Sequence, residues 1–179
     1  PFTLIGATTR LGLLSRPLRD RFGIPLQLNF YDPDELNKII QLNSAKLEIK
    51  IHEKASLEVS QRSRGTPRIA IRLLKRIIDF SIVQDAKEIS HELVLDSLRR
   101  MKIDSEGLDE MDRKYMHCIS SDFNGGPVGI ETLSAALLEQ KDIIEDVIEP
   151  YLMQRGLVQR TSRGRILSKK GQDHILKNS

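Results

Sequence analysis

Leu157-Val158-Gln159-Arg160-Thr161-Ser162-Arg163-Gly164-Arg165-Ile166-Leu167 reads as two short strands, 157–160 and 165–167, folded about a turn at Arg163-Gly164. What precedes this hairpin decides the fold. Asp109 to Asp122 places Met111, Tyr115, Met116 and Ile119 at helical spacing. Asn124-Gly125-Gly126-Pro127 breaks that run, Glu131 to Leu138 forms a short second helix, and Ile143 to Arg155 a third. Helix, turn, helix, helix and hairpin in this order make a winged helix, a variant of the helix-turn-helix. Its span is 105–179.

Working toward the N-terminus, 32–104 reads as a small four-helix domain. Asp32-Pro33-Asp34-Glu35 has the N-cap, Pro-at-N1 and acidic first turn of a helix start, followed by Leu36, Ile39, Ile40, Leu42 and Leu47. Ala55, Leu57 and Val59 mark a second helix that stops near Gly65. Thr66 as N-cap and Pro67 open a third, with Ile69, Leu73, Leu74, Ile77 and Ile78 as its stripe. Ser90 to Met101 is the fourth, and polar Asp104-Ser105-Glu106-Gly107 closes the domain. In 1–31, Phe2 to Ala7 reads as a buried strand running into Thr8-Thr9-Arg10. Pro17 to Gly23 is a charged turn or short helix, and Leu26, Leu28 and Phe30 alternate like a strand. These fragments cannot bury a core and look like the edge of a larger α/β domain. The start at Pro1, inside an apolar run, leads us to expect further chain ahead of it. The expected class is therefore mainly α, with an α/β edge, a helical domain and a winged helix.

Composition narrows the function. The chain has 179 residues, 28 Lys plus Arg, 25 Asp plus Glu, a net charge of +3 and one cysteine, so an internal disulfide is excluded. His52, His91, His117 and His174 are scattered without metal-ligand spacing. No apolar run approaches the ~20 residues of a membrane span and no signal peptide is visible, so we expect a cytoplasmic protein without membrane contact. Residues 106–150 carry a net −8 and 151–179 a net +6. That asymmetry suits a nucleic-acid contact at the basic end, and a solvated basic tail equally well.

No G-x-x-x-x-G-K-[ST] occurs, and no apolar strand ends in Asp-Glu, so this stretch holds no recognisable phosphate cradle. Thr8 and Thr9 end a buried run where a hydroxyl orients a water or a phosphate oxygen, or else satisfies local backbone. Arg21, in Arg19-Asp20-Arg21-Phe22-Gly23, is placed to reach a neighbour's phosphate, or to pair locally with Asp20. Arg68, second in the Thr66-Pro67 helix, adds a full charge to an anion-favouring helix end; Arg72, Lys75 and Arg76 continue that face, which is otherwise simply solvated.

Taken in order, the motifs resemble one family. Pro1-Phe2-Thr3-Leu4-Ile5-Gly6-Ala7-Thr8-Thr9-Arg10, Pro17-Leu18-Arg19-Asp20-Arg21-Phe22-Gly23 and Arg64-Gly65-Thr66-Pro67-Arg68-Ile69-Ala70 carry the resemblance. So do Gly125-Gly126-Pro127-Val128-Gly129, Glu149-Pro150-Tyr151-Leu152 and Arg160-Thr161-Ser162-Arg163-Gly164-Arg165. The chain is similar throughout to the C-terminal half of the RuvB family, bacterial Holliday-junction branch-migration ATPases of the AAA+ class. The resemblance implies that 1–31 ends the large ATPase domain, 32–104 is the AAA+ lid and 105–179 the DNA-binding head.

It also implies roles. Thr8 and Thr9 match sensor 1, Arg21 the arginine finger acting on the next subunit's ATP, Tyr31 a residue lining the nucleotide site, and Arg68 sensor 2. Arg160, Arg163 and Arg165 match the DNA-gripping wing. The implied partners are double-stranded DNA at Holliday junctions, RuvA, RuvC and further copies in a homohexamer, and the implied cofactors are ATP and Mg2+. In the family the P-loop, the magnesium-binding strand and the RuvA-docking hairpin all precede the stretch that begins here. Leu11, Arg16 and Ser162 depart from the family's usual residues, each at a turn or surface position. By this reading the complete protein hydrolyses ATP and this stretch alone does not.

The residues themselves add one expectation. The third head helix carries Asp142, Glu145, Asp146 and Glu149, which would repel phosphates, so the wing and not that helix should meet DNA. Three wing arginines on phosphate predict a log-log salt slope of about −3. A sequence-reading transcription regulator would need a different third helix, and a P-loop-free clamp-loader subunit would end in a helical collar instead of a basic wing.

Overall fold

The structure, a computed structural model, describes residues 1–8 and 11–178. Ahead of Asp32 the described chain holds a 3-10 turn (Leu11–Leu13) and a short helix, α1 (Arg16–Asp20), and no strand. This corrects the strand expectation for 2–7 and 26–30. Alternation chooses the faces of a strand, but hydrogen bonds to a neighbour hold it. Here Phe2, Ile5, Leu26 and Leu28 stand exposed. Phe22 does pack its ring against Gly6.

Four helices follow: α2 (Pro33–Lys46), α3 (Glu53–Gln61), α4 (Pro67–Val83) and α5 (His91–Arg100). The start of α2 is a capping box. Asp32 Oδ1 accepts the Glu35 N–H at 2.8 Å, and Glu35 Oε2 accepts the Asp32 N–H at 3.0 Å. Ser90 caps α5 by accepting from the Leu93 N–H at 3.2 Å. Thr66 precedes α4 as expected, yet its hydroxyl donates to the Arg64 carbonyl at 3.2 Å and does not cap. One core joins the four helices, with Leu36, Ile40, Val59, Leu74, Ile77, Ile89 and Leu98 fully buried or nearly so. An isolated parallel bridge between Ile51 and Ile89 ties the chain entering α3 to the chain entering α5.

The second core belongs to residues 108–175. Helix α6 (Glu110–His117) continues through a π-helical turn (Cys118–Asp122), and positive φ at Asn124, Gly125 and Gly126 then reverses the chain. Helix α7 (Ile130–Leu137) leads to α8 (Lys141–Ile143), which passes through a second π turn (Ile144–Ile148) into α9 (Glu149–Gln154). Strands β1 (Val158–Thr161) and β2 (Gly164–Leu167) pair antiparallel with Val158 opposite Leu167 and Arg160 opposite Arg165. Val128 adds one further rung to β2: its N–H donates to the Arg165 carbonyl at 2.9 Å and its carbonyl accepts from the Arg165 N–H at 2.8 Å. A last helix, α10 (Lys169–Asn178), was not anticipated; Gly171 and Ile175 fasten it. Apolar spacing could not mark α10, because Ile175 is its one buried apolar side chain among those described.

Candidate functional site

Tyr31 and Arg68 lie on either side of one backbone junction. The Tyr31 N–H donates to the Gly65 carbonyl at 2.9 Å, which draws the chain entering α2 onto the turn entering α4. Only glycine fits that turn: Gly65 has φ +66°, and a Cβ there would sit 2.8 Å from Phe30 Cβ. Tyr31 is half-exposed, and Arg68 stands exposed on the wall of an open groove of about 720 Å3 shared with Leu47, Ile71, Arg72 and Lys75. Thr8 and Arg21 are exposed in the N-terminal segment, none of whose described residues enters either core. Thr9 lies outside the described residues. Among the described residues no group of three or more His, Cys, Asp or Glu converges to hold a metal.

The wing divides its arginines. Arg163 is exposed at the tip, and Arg160 is half-exposed and paired with Glu145. Arg165 is not available to grip anything: it is 5% exposed. Its Nε–H donates to Glu149 Oε1 at 2.8 Å and its Nη2 to Glu145 Oε1 at 2.7 Å. The Tyr115 hydroxyl donates to the same Glu149 oxygen at 2.9 Å, closing a buried network. This corrects the expectation for Arg165, and the reason is the pleat. Residues two apart share a face, so Arg165 points inward with Leu167. Arg160 directly opposite would repel it without Glu145 between them. Two of the four carboxylates thought to repel DNA are therefore turned inward as counterions. Burial raises the Glu145 pKa, but hydrogen bonds and charge from Arg165 and Arg160 outweigh it and leave the carboxyl below its usual range.

A third cluster, not anticipated, joins the helical domain to the winged helix. Arg64 Nε–H donates to the Gly107 carbonyl at 2.8 Å, and its Nη2 pairs with buried Asp112 and, at 3.3 Å, with Asp109. Its guanidinium lies 4.9 Å from the ring centre of Tyr151. Tyr151 in turn donates its hydroxyl to the Glu106 carbonyl at 2.7 Å, and the Glu106 carboxylate pairs with Arg155. Burial pushes the Asp112 carboxyl up from its ordinary value while Arg64 pulls the other way. Arg64 opens the Arg64-Gly65-Thr66-Pro67 stretch, but its partners lie over forty residues along the chain, beyond any local pattern.

Comparison with known proteins shows what the chain is similar to. Three family models match in sequence: "Holliday junction DNA helicase RuvB P-loop domain" over residues 1–28, "RuvB AAA lid domain" over 31–104 and "RuvB C-terminal winged helix domain" over 105–176. The "Holliday junction branch migration complex subunit RuvB" of Rickettsia africae is 53% identical over 174 residues, which is 97% of this chain and 51% of that protein. The structure of the Thermotoga maritima RuvB Holliday junction branch migration motor superposes with a TM-score of 0.92 at 48% identity, over 98% of this chain and 59% of that one. Single-residue variants of that motor give the same score and identity. The chain thus spans about half the length of the curated relative it matches.

Proposed function

The chain belongs to the RuvB family, and on that premise we propose that it supplies the nucleotide-sensing lid and the DNA-binding head of an ATP-driven motor that moves Holliday junctions. Arg21 acts as an arginine finger on the ATP of the next copy in a homohexamer, with Thr8 and Thr9 as sensor 1. Tyr31 lines the nucleotide and Arg68 on the lid reads its phosphates. Guanidinium suits both positions because it stays charged and binds phosphate in a bidentate fork. ATP supplies the phosphoryl chemistry, and magnesium, to which we assign no ligand in this chain, neutralises the phosphates. RuvA and RuvC act on the same junction, and the work is cytoplasmic.

The observation that carries the reading is the wing: an exposed Arg163 at its tip with Arg160 beside it, presented on a fold whose remaining basic wing residue is spent inside. Such a wing touches phosphates without reading bases, as a motor that tracks any sequence requires. With Arg165 withdrawn, two phosphate contacts remain, and the log-log salt slope for duplex falls from the expected value to about −2. Measuring that slope in the subunit that carries this chain, with and without Arg163→Ala and Arg160→Ala, tests it. The double variant should bind duplex more weakly and flatten the slope toward zero. An unchanged slope would remove the wing from the DNA interface.

A further inference from the structure

The contacts of Arg64 connect two places whose coupling the proposed function requires but does not explain. Arg64 directly precedes Gly65, the residue whose carbonyl holds Tyr31, and it adopts φ +53°, a left-handed conformation unusual for a long side chain. That backbone aims the side chain out of the helical domain. Every partner of its guanidinium named above lies outside the helical domain: Gly107 in the segment between the two cores, and Asp109, Asp112 and Tyr151 in the winged helix. From Asp112 the route continues within α6 to Tyr115, through its hydroxyl to Glu149 in α9, and through Glu149 to Arg165 in the wing.

The segment between the two cores is clasped from both sides. Arg62 Nη1 donates to the Ile103 carbonyl at 3.2 Å, and a Cβ on Gly107 would sit 2.7 Å from the Arg62 carbonyl oxygen. Arg113 donates to the Lys102 carbonyl at 2.7 Å and the Leu108 carbonyl at 2.9 Å. Residues 102–108 therefore form a bound strap and not a loose tether.

We infer that Arg64 is a positioning residue that locks lid and head into one lever, so that a displacement at the Tyr31–Gly65–Arg68 junction is delivered to the wing. The inference rests on the proposed function for its purpose, and on the contacts of Arg64 for its mechanics. The planar fork is essential: one nitrogen serves Gly107, another Asp112 and Asp109, and the face lies on Tyr151. A lysine keeps the charge but supplies neither the fork nor the stacking face.

Two measurements test it. In the 179-residue chain, spin labels attached through Lys87→Cys in the lid and Gln159→Cys in the wing report the lid–head distance; Cys118 is buried and stays unlabelled. The unmutated pair should give one narrow distance distribution, broadened by Arg64→Ala and by Arg64→Lys. A distribution equally narrow in all three overturns the latch, whatever the protein does. In the subunit assembled with RuvA on a synthetic junction, base pairs migrated per ATP hydrolysed is the second readout. Arg64→Lys should lower that ratio about fivefold or more, with ATP turnover and duplex affinity within about twofold of the parent. A ratio unchanged in Arg64→Lys, or turnover that falls in step with migration, overturns the coupling role. An unmutated assembly that fails to move junctions would instead defeat the proposed function and leave the distance measurement to decide the latch.

Discussion

At the scale of single residues, the decisive feature is how differently three arginines of one hairpin are employed. Arg165 has hydrogen bonds to Glu149, itself 1% exposed, so removing the guanidinium leaves a buried carboxylate without its counterion, with only the Tyr115 hydroxyl still donating to it. Breaking one partner of such a pair costs about 3–5 kcal/mol. Arg165→Ala should therefore lower the stability of the winged helix by that amount in urea unfolding, while Arg163→Ala stays within about 0.5 kcal/mol of the parent. An Arg165→Ala chain as stable as its parent would show that the network contributes nothing. The consequence for binding studies is direct: lost DNA affinity in an Arg165 variant would report unfolding, not a lost contact. The sequence held the signal for this, since the period of two groups Arg165 with Leu167 and Arg160 with Val158. What it did not hold was the counterion, because Glu145 and Glu149 reach the wing only once the π turn and α9 have packed beside it.

Among the elements, the wing depends on a close approach that no propensity records. Gly164 has φ +134°, and a Cβ there would run into the Val128 carbonyl oxygen, which accepts the Arg165 N–H. Gly164→Ala therefore combines backbone strain with a clash and should cost the head at least about 1–3 kcal/mol. Urea unfolding measures it, and a neutral Gly164→Ala would mean that Val128 is free to leave the rung. Most elements were nonetheless legible, because helices and hairpins are written locally. Asp32-Pro33-Asp34-Glu35 spelled out a helix start, Ser90 to Met101 a helix, and Arg163-Gly164 a turn. The failures share one cause. A strand at 2–7 needs a neighbour to pair with, α10 is held by contacts made to it and not by its own stripe, and the rung at Val128 joins residues far apart in sequence.

In the whole molecule, two cores are fixed to each other through a polar junction, and polar junctions respond to pH. The hydrogen bond from Arg155, with its charge, holds the Glu106 carboxyl below its usual value against the opposing effect of burial. A carboxyl whose folded pKa is depressed contributes stability that is present above its unfolded pKa and lost as pH falls through the folded value. The stability difference between the parent and Glu106→Gln should thus be present at pH 7 and shrink as pH falls below the ordinary carboxyl value of 4.5. Urea midpoints across that range decide it; a difference that does not change with pH would mean that Glu106 acts only as a neutral hydrogen-bond acceptor. The junction has one more consequence. The sequence has no tryptophan and three tyrosines, so under excitation beyond the phenylalanine band the folded chain emits from Tyr31, Tyr115 and Tyr151. One lies at the turn into the lid, one in the heart of the head, and one under the Arg64 guanidinium with its hydroxyl on the Glu106 carbonyl. Each phenol thus occupies a different part of the lever, and replacing them singly by phenylalanine would assign the light of each to its place.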